Sequence, residues 1–180
     1  PVSGEYYLKA FADEFSYLDY VICRPFNLCG QGEYPQKEVG MAHVTNDIIR
    51  KIIMGQGNSD KPLEILGQGN QIRCYTPVSE GARGIILAAK KGTSGSSYNI
   101  SCAKSHSVNE LVNLIWSHMK GVNQQLVVKF VPSYQYDVQK RIPDVTLAKE
   151  KLGFECQFSI EDVIDDIIKW TEGVVNEEMA

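Results

Sequence analysis

Apolar residues recur along this chain with two periods, one helical and one strand-like, and the two alternate from end to end. Residues 4–16 carry Leu8, Phe11 and Phe15 at helical intervals and predict a helix. Tyr20 to Asn27 is a short, nearly continuous apolar run, the pattern of a parallel strand covered on both faces. Gly30 to Gly40, with three glycines and a proline, predicts a loop. Thr45 or Asn46 then caps a helix whose Ile48, Ile49, Ile52 and Ile53 make one stripe, and Gly55 ends it. Leu63–Leu66 and Ile72–Thr76 read as short strands around a Gly67–Asn70 turn.

A helix from Pro77 to about Lys90 follows, with proline in its first turn and Val78, Ala82, Ile85, Ile86 and Ala89 on one face. Tyr98–Ser101 is a further strand, and Ser107 with Glu110 forms a capping box for a helix to about Met119. Leu126–Val131 is a strand, and Ser159 to Asp162 opens a last helix that ends before Gly173. Alternating helices and strands without an internal repeat predict an α/β chain.

Composition narrows the function. A formal charge of −4 argues against nucleic acid or an anionic membrane as the main partner. No apolar stretch approaches the ~20 residues of a membrane span, and no signal-peptide pattern opens the chain. The five cysteines, Cys23, Cys29, Cys74, Cys102 and Cys156, show no CxxC spacing, which predicts buried, reduced thiols and a cytoplasmic protein. His43, His106 and His118 share no ligand spacing, so no metal is expected.

Few residues could carry chemistry. Lys9 sits on the first helix, and the residue four positions earlier, where a tyrosine would share its face, is Glu5. Taken alone, Lys9 reads as an ordinary surface lysine on an amphipathic helix. Asn27 ends a buried strand, a position where ligands collect in parallel sheets and where turn formers are also common. Arg73 and Arg141 lie at loop-to-element junctions, where a guanidinium can grip phosphate in two-pronged fashion. Asp144 is placed to accept from a ribose hydroxyl, and also to cap a helix over 145–152.

In chain order the matching segments are Pro1-Val-Ser3 through Lys9, Arg24-Pro-Phe-Asn-Leu-Cys-Gly30, Ile65 through Thr76, Tyr98-Asn-Ile-Ser101, Arg141-Ile-Pro-Asp144 and Ala148 through Phe154. Together they resemble the C-terminal half of the extended short-chain dehydrogenase/reductase family, the NAD-dependent nucleotide-sugar epimerases, dehydratases and decarboxylases. The resemblance implies the C-terminal part of a Rossmann-type parallel sheet plus a small mixed α/β substrate-binding domain. Residues 1–30 would be a remnant of the dinucleotide-binding domain. Residues 31–180 would bind the nucleotide sugar, with about 71–101 returning to the Rossmann sheet.

By the same resemblance Lys9 would contact the nicotinamide ribose, with Pro25 also at the cofactor. Asn27 would meet the substrate's sugar and pyrophosphate, Arg73 and Arg141 the pyrophosphate, and Asp144 the nucleoside ribose. His43 and Val44 would lie near the substrate, with Glu64 and Leu66 flanking the base. Glu5 stands at the position of the family's catalytic tyrosine. The glycine-rich loop for NAD (or NADP) is expected to be absent, and Pro1 opens the chain in place of methionine. The implied partners are a nucleotide-diphosphate sugar and a second copy of the chain. A C-terminal portion, inactive alone, is the first expectation, and a non-catalytic nucleotide-sugar-binding module is the alternative.

Overall fold

The computed structural model describes residues 2–34 and 43–179. In chain order these form α1 (Val2–Glu14), β1 (Ile22–Pro25), β2 (Leu28–Cys29), α2 (Val44–Ile53), β3 (Leu63–Leu66) and β4 (Ile72–Cys74). There follow β5 (Thr76–Pro77), α3 (Val78–Lys91), β6 (Ser97–Ile100), β7 (Ser105–Ser107), α4 (Val108–Lys120), β8 (Val128–Val131) and β9 (Lys140–Arg141). A π-helical turn (Ala148–Leu152) and α5 (Ile160–Met179) complete the chain. Residues 35–40 of the predicted loop lie outside the described residues.

Strand pairing is mostly parallel and long-range: β1 with β6, β2 with β5, β3 with β8. Parallel strands cannot be joined by a tight hairpin, and helices lie between the members of each pair. β4 lies between β7, which is antiparallel to it, and β9, which is parallel.

Two hydrophobic clusters hold these elements. The larger joins Ile48, Ile49 and Ile52 of α2 to Leu111 and Ile115 of α4, to Ile160, Ile164 and Ile167 of α5, and to Leu63 and Ile65 of β3. The smaller joins Ala88 of α3 and Tyr98 and Ile100 of β6 to Ala148, Leu152 and Phe154. Local signals end several helices as expected. Gly55 takes φ +84° and donates its N–H to the Ile52 carbonyl, and Ser107 and Glu110 form a complete capping box.

Four expectations are corrected. α2 begins at Val44 with His43 at its N-cap, not at Thr45 or Asn46. Those two side chains are buried inside the first turn, where the Asn46 amide donates to the Glu33 carbonyl at 2.8 Å. Asn46 thus fastens a neighbouring segment rather than capping its own helix. α5 runs through Gly173 to Met179, because Thr171 and Val175 are both fully buried and Arg50 of α2 pairs with Glu178 at 2.8 Å. Packing on both sides of the glycine outweighs its helix cost of about 1 kcal/mol.

The apolar face expected of α3 points outward. Val78, Ala82, Ile85, Ile86 and Ala89 are exposed, and the packed face is Glu80, Gly81, Gly84 and Ala88. Finally, Cys102 and Cys156 form a disulfide with Cα atoms 5.3 Å apart, although 54 residues separate them. Reduced thiols are found at Cys23, Cys29 and Cys74, and burial pushes Cys29 up to about 12. The cysteine argument for a cytoplasmic protein therefore does not stand. Among the described residues no helix is long and apolar enough to cross a membrane.

Candidate functional site

β4 organises the site. Arg73 at its centre stands opposite His106 of β7 on one side and Arg141 of β9 on the other. Directly opposed residues on neighbouring strands project to the same face, so three basic side chains form a row across this small sheet. Such a row repels itself unless anions sit along it. Asp137 Oδ1 lies 3.5 Å from Arg73 Nη2, and Glu161 Oε1 lies 2.8 Å from His106 Nε2. Arg141 is exposed and has no carboxylate partner among the described residues.

Beside Arg73 opens a cavity of about 240 Å³. Val44 and Ile48 of α2, Ile65 and Leu66 of β3, Tyr75 and Val108 supply its apolar walls. Asp47, Lys51, Glu64, Gln71, Arg73, Tyr134 and Asp137 supply its polar lining. Lys51 is held in place by Asp47 at 2.7 Å and by the Glu64 carbonyl at 3.2 Å. Glu64 also accepts from Lys129 at 2.8 Å, which lowers its carboxyl below the usual range.

Two buried atoms of this cavity lack partners: the Tyr75 hydroxyl and Gln71 Oε1. An unmet buried polar group costs ~1–3 kcal/mol, so a cavity carrying two of them is suited to a ligand with polar groups of its own. Burial pushes the Tyr75 phenol up, with Cys29 adding to that and Arg73 opposing it, so the hydroxyl is a neutral donor and acceptor.

The structure brings Val44, Glu64, Leu66 and Arg73 of the expected residues to one cavity. His43 is beside it at the α2 N-cap, exposed, with Nδ1 2.6 Å from Glu33 Oε1. Asn27 takes the left-handed φ of +40° and donates its amide to the Cys74 carbonyl at 2.9 Å, which ties the end of β1 to β4. Asp144 accepts the Thr146 backbone N–H at 2.9 Å, and hydrogen bonds from the Thr146 side chain and then its backbone lower the Asp144 carboxyl. Tyr75 and Gln71 are absent from the sequence-derived set. They flank Arg73 at two-residue intervals, and strand alternation was the available signal.

Lys9 is exposed on α1, and Pro25 lines a separate groove with Gly4, Leu8 and Phe26. Both oxygens of Glu5 accept from Arg24, at 2.7 and 2.5 Å, and that bonding holds the Glu5 carboxyl below its ordinary value. These residues do not by themselves make a cradle for a dinucleotide. Among the described residues no group of three or more His, Cys, Asp and Glu side chains could hold a metal.

The model of the NAD dependent epimerase/dehydratase family matches residues 2–101, more than half of this sequence. The chain belongs to that family. UDP-N-acetyl-alpha-D-glucosaminuronate decarboxylase of Bacillus cytotoxicus is 28% identical over 164 residues, covering 89% of this chain and 48% of that protein. The UDP-glucose 4-epimerase of Thermotoga maritima, solved with UDP-glucose, superposes with a TM-score of 0.80 at 29% identity. It covers 99% of this chain and 52% of its own. The UDP-N-acetylglucosamine 4-epimerase of Methanobrevibacter ruminantium, in complex with UDP-N-acetylmuramic acid, gives 0.79 at 26%, covering 94% and 51%. The α/β fold with parallel strands is thus that of the Rossmann-like epimerases, and the chain spans about half the length of these relatives.

The far end of the basic row has a consequence for the fold. Burial pushes the Glu161 carboxyl up, but hydrogen bonds from Lys104, its own backbone amide, His106 and Ser159 outweigh it and hold the group at about 2. A folded value below the ordinary 4.5 means stability that is present above pH 4.5 and lost as pH falls toward 2. The carboxylate is partly exposed, so solvent screening reduces the contribution to on the order of 1 kcal/mol. Between pH 5 and pH 3 the native melting temperature should fall further than that of Glu161→Gln. Parallel pH profiles of the two proteins would contradict this.

Proposed function

We propose that the cavity beside β4 seats the nucleoside diphosphate of a nucleotide sugar. On this reading the chain is the substrate-binding portion of an NAD-dependent nucleotide-sugar epimerase or dehydratase. The observation that carries the reading is the basic row of Arg141, Arg73 and His106 adjoining a cavity with two unmet polar atoms. Guanidinium groups side by side match the geometry and charge of a pyrophosphate. Apolar walls from Ile65, Leu66 and Val108 suit the flat face of a base.

Arg73 and Arg141 would then hold the pyrophosphate and Asp144 the nucleoside ribose. Asn27 would meet the sugar and pyrophosphate, His43 and Val44 would lie along the substrate, and Glu64 and Leu66 would flank the base. Family membership supports oxidation and reduction at a sugar carbon with NAD or NADP as the chemistry of the whole protein, as isomerase or lyase. No step of it is assigned to residues of this chain. The Arg24-bound Glu5 favours a chain that binds without turning over on its own. Exposed Tyr6, Tyr7 and Phe11 on α1 favour self-association through that helix.

Calorimetric titration of the native chain with UDP, GDP, CDP and dTDP tests the reading. Saturable binding of at least one is expected, with UDP first to try because the relatives named above act on or hold UDP-sugars. Binding of none of the four would overturn it.

A further inference from the structure

The bond between Cys102 and Cys156 lies outside every helix and strand of the fold. Cys102 sits just past β6, on the segment leading to β7, and Cys156 sits between the π-helical turn and α5. The two sulfurs are unequally reachable. Cys102 is 3% exposed, whereas Cys156 is half-buried on a segment where Glu155, Gln157 and Phe158 face solvent. A thiolate arriving from solvent therefore meets Cys156 first, with Cys102 as the departing sulfur.

The opened pair also has partners waiting. Cys102 Sγ lies 3.4 Å from the Phe158 carbonyl oxygen, so as a thiol it donates there from the same position. The Cys102 N–H donates to Thr76 Oγ1 at 3.2 Å, and Arg83 donates to the Glu155 carbonyl, so each cysteine keeps an anchor beside it. Further along the same two segments, Lys104 donates to Glu161 Oε1, and His106 Nε2 lies 2.8 Å from that oxygen. Segments 102–106 and 156–161 are thus joined twice, by a covalent bond at one end and by a shared carboxylate at the other.

We propose that Cys102–Cys156 is a reversible exchange site for a small thiol of the glutathione class, and that its closed form braces Glu161 against His106. In opening, a thiolate bonds to Cys156 Sγ as the Cys156–Cys102 bond breaks, and the electron pair leaves on Cys102 Sγ. A second thiolate attacks the small-molecule sulfur of that mixed disulfide and releases Cys156. The protons given up by the two attacking thiols pass through water to Cys102 and Cys156. Two small thiols are oxidised to one disulfide while the protein bond is reduced to two thiols, and glutathione disulfide drives the reverse.

The native 180-residue chain tests this in buffers of varied glutathione to glutathione-disulfide ratio, quenched in acid, alkylated in denaturant and weighed. Three modified cysteines are expected at the oxidising end and all five at the reducing end, with Cys102 and Cys156 changing together. The open chain should stay folded and melt roughly 5–15 °C lower, and Cys102→Ser/Cys156→Ser should melt the same at every ratio. A pair that millimolar glutathione opens only in denaturant is a permanent staple and overturns the exchange site. An open chain that unfolds, or that keeps glutathione on Cys156 without closing, overturns it as well. The brace is read separately, from melts at pH 5 and pH 3, where protonated thiols no longer exchange. In the closed chain the acid loss of native protein exceeds that of Glu161→Gln, and this excess should about halve on opening. A Glu161 held less firmly titrates nearer its ordinary value and has less stability to lose as pH falls. An equal excess in both forms would overturn the brace.

Discussion

The Arg73→Ala/Arg141→Ala double variant is expected to lose nucleoside diphosphate binding by at least about a hundredfold while keeping its fold. Each guanidinium on a phosphate is a charge-assisted contact worth ~1.5–3 kcal/mol, or roughly ten- to a hundredfold in affinity. The two stand opposite each other on β4 and β9, so their contributions will not simply add. In the empty site they repel each other and a bound diphosphate relieves that repulsion, so removing either one forfeits the relief and each single loss is larger than half of the double loss. Arg141 is exposed and has no ion pair among the described residues, so its removal should leave the melting temperature within about 1–2 °C. Arg73 also ties β4 to the Val138 carbonyl, so a somewhat larger shift is expected there. Calorimetry with UDP alongside thermal melts separates the two effects. A double variant that binds as well as native protein would show that this basic row is not the anion seat.

The parts of the fold readable in advance are those with local causes. The Ile48, Ile49 and Ile52 stripe and the Ser107–Glu110 box each lie within one or two helical turns, so spacing alone reveals them. Arg73 was found as a charged residue at a loop edge, and Glu64 and Leu66 came from the family resemblance. Other features depend on partners distant in sequence. Asp137 reaches Arg73 across 64 residues and Cys102 reaches Cys156 across 54, and nothing in either neighbourhood encodes the meeting. The α5 extension past Gly173 is of the same kind, because the reason to continue lies on α2. α3 misleads in a different way. Its large apolar residues look like a core face, yet the face that packs is two glycines and an alanine, too small to register as hydrophobic, with the charged Glu80.

That reversal carries the second large prediction, on stability. α3 approaches β6 so closely that a Cβ on Gly84 would run into the Ile100 Cγ2 methyl and lie 3.0 Å from the Phe154 ring. A Cβ on Gly81 would meet Leu28 Cδ2 at 2.5 Å. Both Ile100 and Phe154 are fully buried in the smaller cluster, and Arg83 stacks 5.0 Å over the Phe154 ring, so neither can swing aside. Gly84→Val should therefore cost about 3 kcal/mol or more, since overpacking penalties of ~1–3 kcal/mol are joined by displacement of a buried ring. Ile85→Gln and Ile86→Gln remove far more apolar volume from the same helix. Their side chains are 43% and 53% exposed, and glutamine is a good helix former, so each should stay within about 0.5–1 kcal/mol of native. Urea unfolding of the three variants gives the comparison directly. If the isoleucine changes cost more than the glycine change, the outward face is covered in solution, and α3 owes its stability to a surface beyond the close contact with β6.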